Sequence, residues 1–133
     1  MIWVELVTIL ALAQFALFGF YVGAARVRHG VRAPAQSGHE VFDREFRIHM
    51  NTLETVVLLL PSMWIAAQHW APRLAAAIGA VYLVGRVIYR QAYLQDPQKR
   101  TIGYTLSFMP AAALAAMALV GIARQLLRAG GVM

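Results

Sequence analysis

The sequence predicts an all-α integral membrane protein, an up-down-up-down bundle of four helices. Three observations carry that prediction. Apolar residues make up 60% of the chain and charged residues 14%, against roughly 45–50% and 25% in an average soluble domain. The apolar residues fall into four long runs, and a bilayer span needs about 20 residues. The runs are joined by connections rich in Pro, Gly and charge, short enough to make neighbouring helices antiparallel. At 133 residues the chain is read as one transmembrane domain over 1–133, too short for a soluble module beside the membrane part.

The first helix is expected over residues 2–25, an apolar run interrupted only by Glu5, Thr8, Gln14 and some glycines. It does not read as a secretory signal, because Arg26 and Arg28 follow the apolar run and Glu5 is its only early charge. Pro34 and Gly38 break residues 26–41 into a loop. The second helix, 42–69, starts polar in FDREFRIHMNTLE and turns apolar in TVVLLLPSMWIAAQHW. Pro61 lies in its spanning part, where neighbouring helices or shifted geometry can satisfy the freed carbonyl. Residues 69–73 make the tightest turn, a third helix follows over 74–94, and a break at Asp96-Pro97 precedes a fourth over 102–127.

Twelve Lys/Arg against six Asp/Glu give a net charge of +6. A nucleic-acid footprint needs a continuous basic face in water, whereas these arginines sit in connections and at the ends of apolar runs, so anionic lipid headgroups are the expected partners and nucleic acid is not. Nine of the cations (Arg26, Arg28, Arg32, Arg44, Arg47, Arg86, Arg90, Lys99, Arg100) flank the first and third connections, and three (Arg73, Arg124, Arg128) lie on the opposite side. The positive-inside rule then places loops 26–41 and 95–101 in the cytoplasm and both termini outside. Arg124 and Arg128 run against that count. The expected setting is a bacterial inner membrane.

The absence of cysteine excludes disulfides and thiolate nucleophiles from the chain itself, so any thiol chemistry must use a substrate's thiol. The four histidines, His29, His39, His49 and His69, have no close ligand spacing, and no metal is expected.

On the second helix Arg47, Asn51 and Glu54 stand at i, i+4 and i+7, within about 60° of arc. A helix end making its own Arg–Glu pair would explain this stripe as well as a site does. Glu54 adjoins VVLLL, so it is expected to face the bundle interior with a cationic partner. The third helix carries Arg86, Tyr89, Arg90 and Tyr93 within about 100° of arc. These could form an aromatic belt at the headgroups. Both stripes fall at one depth, near Lys99-Arg100, and together they could hold a small polyanion with amide groups.

The ordered pattern F-x-R-x-x-R-x-H-x-N-x-x-E, then R-x-x-Y-x-x-x-Y and K-R-x-x-G, resembles the membrane-associated proteins in eicosanoid and glutathione metabolism, the MAPEG family. In this chain it is carried by FDREFRIHMNTLE and RVIYRQAYLQDPQKRTIGY, after Ala25-Arg26, Pro34, Gly38 and Phe42. The resemblance implies a homotrimer binding glutathione as co-substrate between subunits near the cytoplasmic face, with no metal. It implies Arg26, Arg47, His49, Asn51, Glu54, Tyr89 and Tyr93 as glutathione contacts, and Arg100 beside the sulfur as the catalytic residue. His49 lies about 200° around the helix from Arg47, which an intersubunit site would reconcile. His49, Thr55 and Val27 depart from the family's eicosanoid-forming members, while KRTIGY is closer to its microsomal glutathione transferases. The implied function is a glutathione transferase, with possible peroxidase activity, acting on lipophilic electrophiles or hydroperoxides. A non-catalytic lipid-binding scaffold of the same fold is the rival reading, and a small transporter a third.

Overall fold

The computed structural model describes residues 1–131. Four helices follow one another up and down: α1 (Ile2–Arg28), α2 (Glu40–His69), α3 (Pro72–Gln95) and α4 (Thr101–Gly130). A single 3₁₀ turn, Pro97–Arg100, precedes α4. All four helices are long and apolar enough to cross a membrane. The chain is an all-α integral membrane bundle.

Helix ends follow their capping chemistry. Arg26 and Arg28 sit in the last turn of α1, where a cation complements the carbonyl end of the helix dipole. This carries α1 past residue 25. Arg128 does the same in α4, which runs to Gly130 rather than 127. The α2 helix starts at Glu40, before residue 42, because His39 caps it by accepting from the Val41 N–H at 3.1 Å. Asp43, in its first turn, accepts from Ser37 Oγ at 3.0 Å and the Gly38 N–H at 3.1 Å, tying the loop to the helix. Pro61 and Pro110 both lie inside unbroken helices.

Lipid is as apolar as leucine, so helices in a bilayer associate through close packing and interhelical hydrogen bonds. Both are present. A Cβ on Gly85 of α3 would come within 2.6 Å of the Leu106 carbonyl carbon, and one on Gly103 of α4 would run into the Tyr89 backbone. These two glycines let α3 and α4 touch along their length. The core is built from Val4, Leu59, Met63, Tyr82 and Leu114, with small residues such as Ala66, Ala75 and Ala111 packed among them. Trp64 Nε1 donates to Thr8 Oγ1 at 2.9 Å, and Gln14 Nε2 donates to the Leu83 carbonyl at 2.9 Å, fixing α1 to α2 and α3.

Candidate functional site

At the end of the bundle where α2 begins and α3 ends, a cavity of about 430 Å³ opens between three helices. Small-molecule sites span about 300–1,000 Å³. Arg47 and Asn51 come from α2, Tyr89 and Tyr93 from α3, Arg100 from the 3₁₀ turn, and Thr101 and Tyr104 from α4. The turn places Arg100. Pro97 cannot continue α3, Asp96 Oδ1 accepts from the Gln98 N–H at 3.0 Å, and Arg100 Nη1 donates to the Pro97 carbonyl at 3.2 Å. Arg44 holds the other side of the break, donating to the Leu94 carbonyl at 2.7 Å and pairing with Glu40.

Five of the eight predicted site residues, Arg47, Asn51, Tyr89, Tyr93 and Arg100, line this one cavity. Glu54 joins them indirectly. Its carboxylate lies 3.9 Å from Arg47 Nη1 and accepts from Asn51 Nδ2 at 3.3 Å. The expectation that Glu54 faces the bundle interior is corrected, since its side chain is 58% exposed and that of Arg47 55%. The interior face of α2 at this depth is filled instead by Ile48, Thr52 and Thr55, and Thr55 Oγ1 lies 2.9 Å from the Tyr82 hydroxyl. The cationic partner is present, but the pair sits on the outside of the protomer.

Arg26 and His49 lie apart from the cavity. Arg26 Nη1 donates to the Ala35 carbonyl at 2.8 Å, and its guanidinium lies 4.7 Å from the centroid of the Phe42 ring. The His49 ring stacks on Phe15 at 4.4 Å, against α1.

Helical spacing left Arg86 open between a headgroup belt and a site, and named it as no ligand contact. It is fully buried, donating from Nε to Ser107 Oγ at 2.9 Å and from Nη1 to Asn51 Oδ1 at 2.9 Å. Its guanidinium lies 4.0 Å from the Tyr89 ring centroid and 5.9 Å from that of Tyr82. Among the described residues it has no carboxylate partner, and Nη2 has no hydrogen bond. The signal was an arginine within an apolar span, where ionisable groups are expensive and mark functional sites. Arg90, on the same stripe, has a different use. It pairs with buried Glu45 at 2.6 Å and lies over the Tyr21 ring at 3.9 Å, joining α1, α2 and α3. Tyr104, four residues after Arg100 and stacked on Phe108, was also missed.

Three guanidinium groups, Arg47, Arg86 and Arg100, thus surround or back the cavity against one carboxylate, Glu54. With the Asn51 amide and three tyrosines, the wall suits a flexible anion carrying amide groups. Among the described residues no three potential metal ligands come together.

The sequence profile of the MAPEG family matches residues 4–120. The chain is 38% identical over 126 residues to an uncharacterized protein of Synechocystis, covering 95% of this chain and 92% of the relative. It is 33% identical over 121 residues to microsomal glutathione S-transferase 2 of Homo sapiens, covering 91% and 82%. To leukotriene C4 synthase of Cavia porcellus it is 33% identical over 140 residues, covering 92% of each. With four spanning helices, a polar cavity at one end of the bundle and a profile match over nearly its whole length, the chain belongs to the MAPEG family.

Proposed function

We propose that this protein is a membrane glutathione transferase that activates glutathione as a thiolate and delivers it to a lipophilic electrophile or hydroperoxide. The observation that carries the reading is the convergence of Arg47, Asn51, Tyr89, Tyr93 and Arg100 on one open cavity with an excess of guanidinium. The names of two relatives, a glutathione S-transferase and leukotriene C4 synthase, support the choice of glutathione.

Glutathione carries two carboxylates, an ammonium, two amides and a thiol. In the proposed complex Arg47 binds a carboxylate, Glu54 the ammonium, Asn51 an amide, and Tyr89 and Tyr93 donate hydroxyls. These groups position the peptide. Arg100 acts on the sulfur. A free thiol has a pKa of about 8.5 and the thiolate is the nucleophile, so a fixed cation beside it raises the reactive fraction at neutral pH. The thiol proton leaves to water, and the thiolate attacks the electrophilic carbon to form a thioether, the bond to the leaving group breaking with its electron pair or, in an addition, the displaced π pair taking a proton from water. With a hydroperoxide it attacks the terminal oxygen, the O–O bond breaks, and a second glutathione completes the disulfide, yielding alcohol and water.

The proposed unit is a homotrimer in the bacterial inner membrane with loops 26–41 and 95–101 cytoplasmic. The outward position of the Arg47–Glu54 pair and the location of Arg26 and His49 away from the cavity favour a site completed by a neighbouring subunit. A lipid-binding scaffold has no use for a cation placed at a thiol's sulfur, as proposed for Arg100, which favours the enzyme. The test is turnover of a chromogenic electrophile by purified protein with glutathione, alongside calorimetric binding of glutathione. Binding with turnover supports the transferase; binding of neither peptide nor electrophile sinks it.

A further inference from the structure

Arg124 and Arg128, two of the three cations on the side that the positive-inside count leaves poor in charge, converge on a second polar site. At the far end of the bundle a cleft of about 270 Å³ is lined by Gln68, His69, Gly121, Arg124, Gln125 and Arg128. From Arg47 to His69 along α2 is 22 residues, or about 33 Å of helix, so this cleft is separate from the glutathione cavity.

Three features make it a built site. A Cβ on Gly121 would collide with the His69 side chain, so the glycine lets α4 close onto the end of α2. Arg124 is held in place, its guanidinium 4.6 Å from the centroid of the Trp70 ring, while the Trp70 indole N–H donates to the Met117 carbonyl at 2.9 Å. Among the described residues no carboxylate lines the cleft, although Arg124 and Arg128 stand at i, i+4, where like charges repel. The helix dipole accounts for Arg128, in the last turn of α4, but not for Arg124.

The depth of the cleft identifies the anion. All three tryptophans, Trp3, Trp64 and Trp70, lie toward this end of the bundle, at the start of α1 and the end of α2. Tryptophan concentrates at headgroup level. Leu126 and Leu127, 67% and 77% exposed, flank the arginines with apolar surface. We propose that His69, Arg124 and Arg128 bind the phosphate of an anionic phospholipid in this leaflet, with acyl chains running along α4. The guanidinium forks match phosphate oxygens, and the two glutamines supply neutral donors.

The test is native mass spectrometry of protein released from nanodiscs of mixed phosphatidylcholine and phosphatidylglycerol. Wild type should retain one phosphatidylglycerol per protomer. Arg124→Gln and Arg128→Gln should each weaken retention about fivefold, the equivalent of about 1 kcal/mol per basic residue at a membrane surface. Both side chains are exposed, so neither change opens a cavity in the core. Arg124→Lys, which keeps the charge without the fork, should fall between. Arg73→Gln, at the same end but outside the cleft, should behave as wild type. Undiminished retention in Arg124→Gln and Arg128→Gln would overturn the site, and an equal loss in Arg73→Gln would reduce it to diffuse attraction. Displacement by inorganic phosphate would overturn the lipid assignment in favour of a soluble anion.

Discussion

Arg86, fully buried in α3, donates from Nη1 to Asn51 Oδ1 at 2.9 Å, and so orients an amide that lines the cavity. With its oxygen engaged by arginine, Asn51 turns its NH₂ toward Glu54. Arg86→Leu leaves Asn51 Oδ1 and Ser107 Oγ without this donor. Asn51 then loses the contact that orients it toward the cavity, and a hydrogen bond of about 1 kcal/mol lost to the bound state lowers glutathione affinity about fivefold. Arg86→Lys retains the charge but cannot reach both partners through a planar fork, and should recover only part of the loss. Calorimetry on folded protein checks this; unchanged affinity in Arg86→Leu would separate Asn51 from the site.

The Arg47–Glu54 pair on the outer surface of the protomer predicts a site shared between subunits. Arg47→Ala and Arg26→Ala should each abolish most activity when expressed alone. Co-expression of the two inactive chains should restore part of it, because some interfaces would then combine an intact Arg47 with an intact Arg26. Activity no greater than that of the separate variants would place the whole site within one protomer.

Much of this arrangement was legible in the sequence. Helical spacing put Arg47 near Asn51 and Tyr89 near Tyr93, and the Asp96-Pro97 break put Arg100 at the same depth. The direction of each stripe was not legible. Glu54 turns outward because Thr52, Thr55 and Tyr82 fill the interior, and their packing is set by contacts between helices that spacing along one helix does not carry. Spacing also made Arg86 and Arg90 equivalent on one stripe. Only tertiary contacts separate them, giving one to Asn51 and Ser107 and the other to Glu45.

The loop between α1 and α2 should respond to acid. The His29 and His39 rings stack at 3.8 Å, and desolvation, then His39, then Arg28 lower the His29 pKa from its usual 6.5. A base with a lowered folded pKa binds fewer protons folded than unfolded below that value. The contribution of the stack is therefore complete above pH 6.5 and is lost as pH falls through that value toward the lowered folded one. Protection of the amides of residues 30–38, their exchange rates taken relative to the unstructured rate at each pH, should fall over this interval in wild type and show no such step in His29→Gln. Protection that stays constant across this interval in wild type would contradict the account.

A cysteine-free chain suits labelling tests of orientation. In Gln36→Cys, in the loop before α2, an impermeant thiol reagent should label inverted membrane vesicles and leave intact cells unlabelled. Labelling from outside intact cells would reverse the topology and put the cavity lined by Arg47 and Arg100 on the other face.

The central claim is that Arg100 holds bound glutathione as a thiolate, and the most direct measurement is thiolate ultraviolet absorbance in the complex across a pH series. Wild-type protein should bind glutathione with its thiol pKa below the free value of about 8.5. Arg100→Ala should raise that pKa while weakening binding less than Arg47→Ala does, since each pKa unit corresponds to about 1.36 kcal/mol of differential stabilisation. Turnover by Arg100→Ala should be slow at pH 7 and partly recover as the pH rises. Superimposable thiolate titrations and rate profiles in wild type and Arg100→Ala would contradict the account and remove Arg100 from the chemistry.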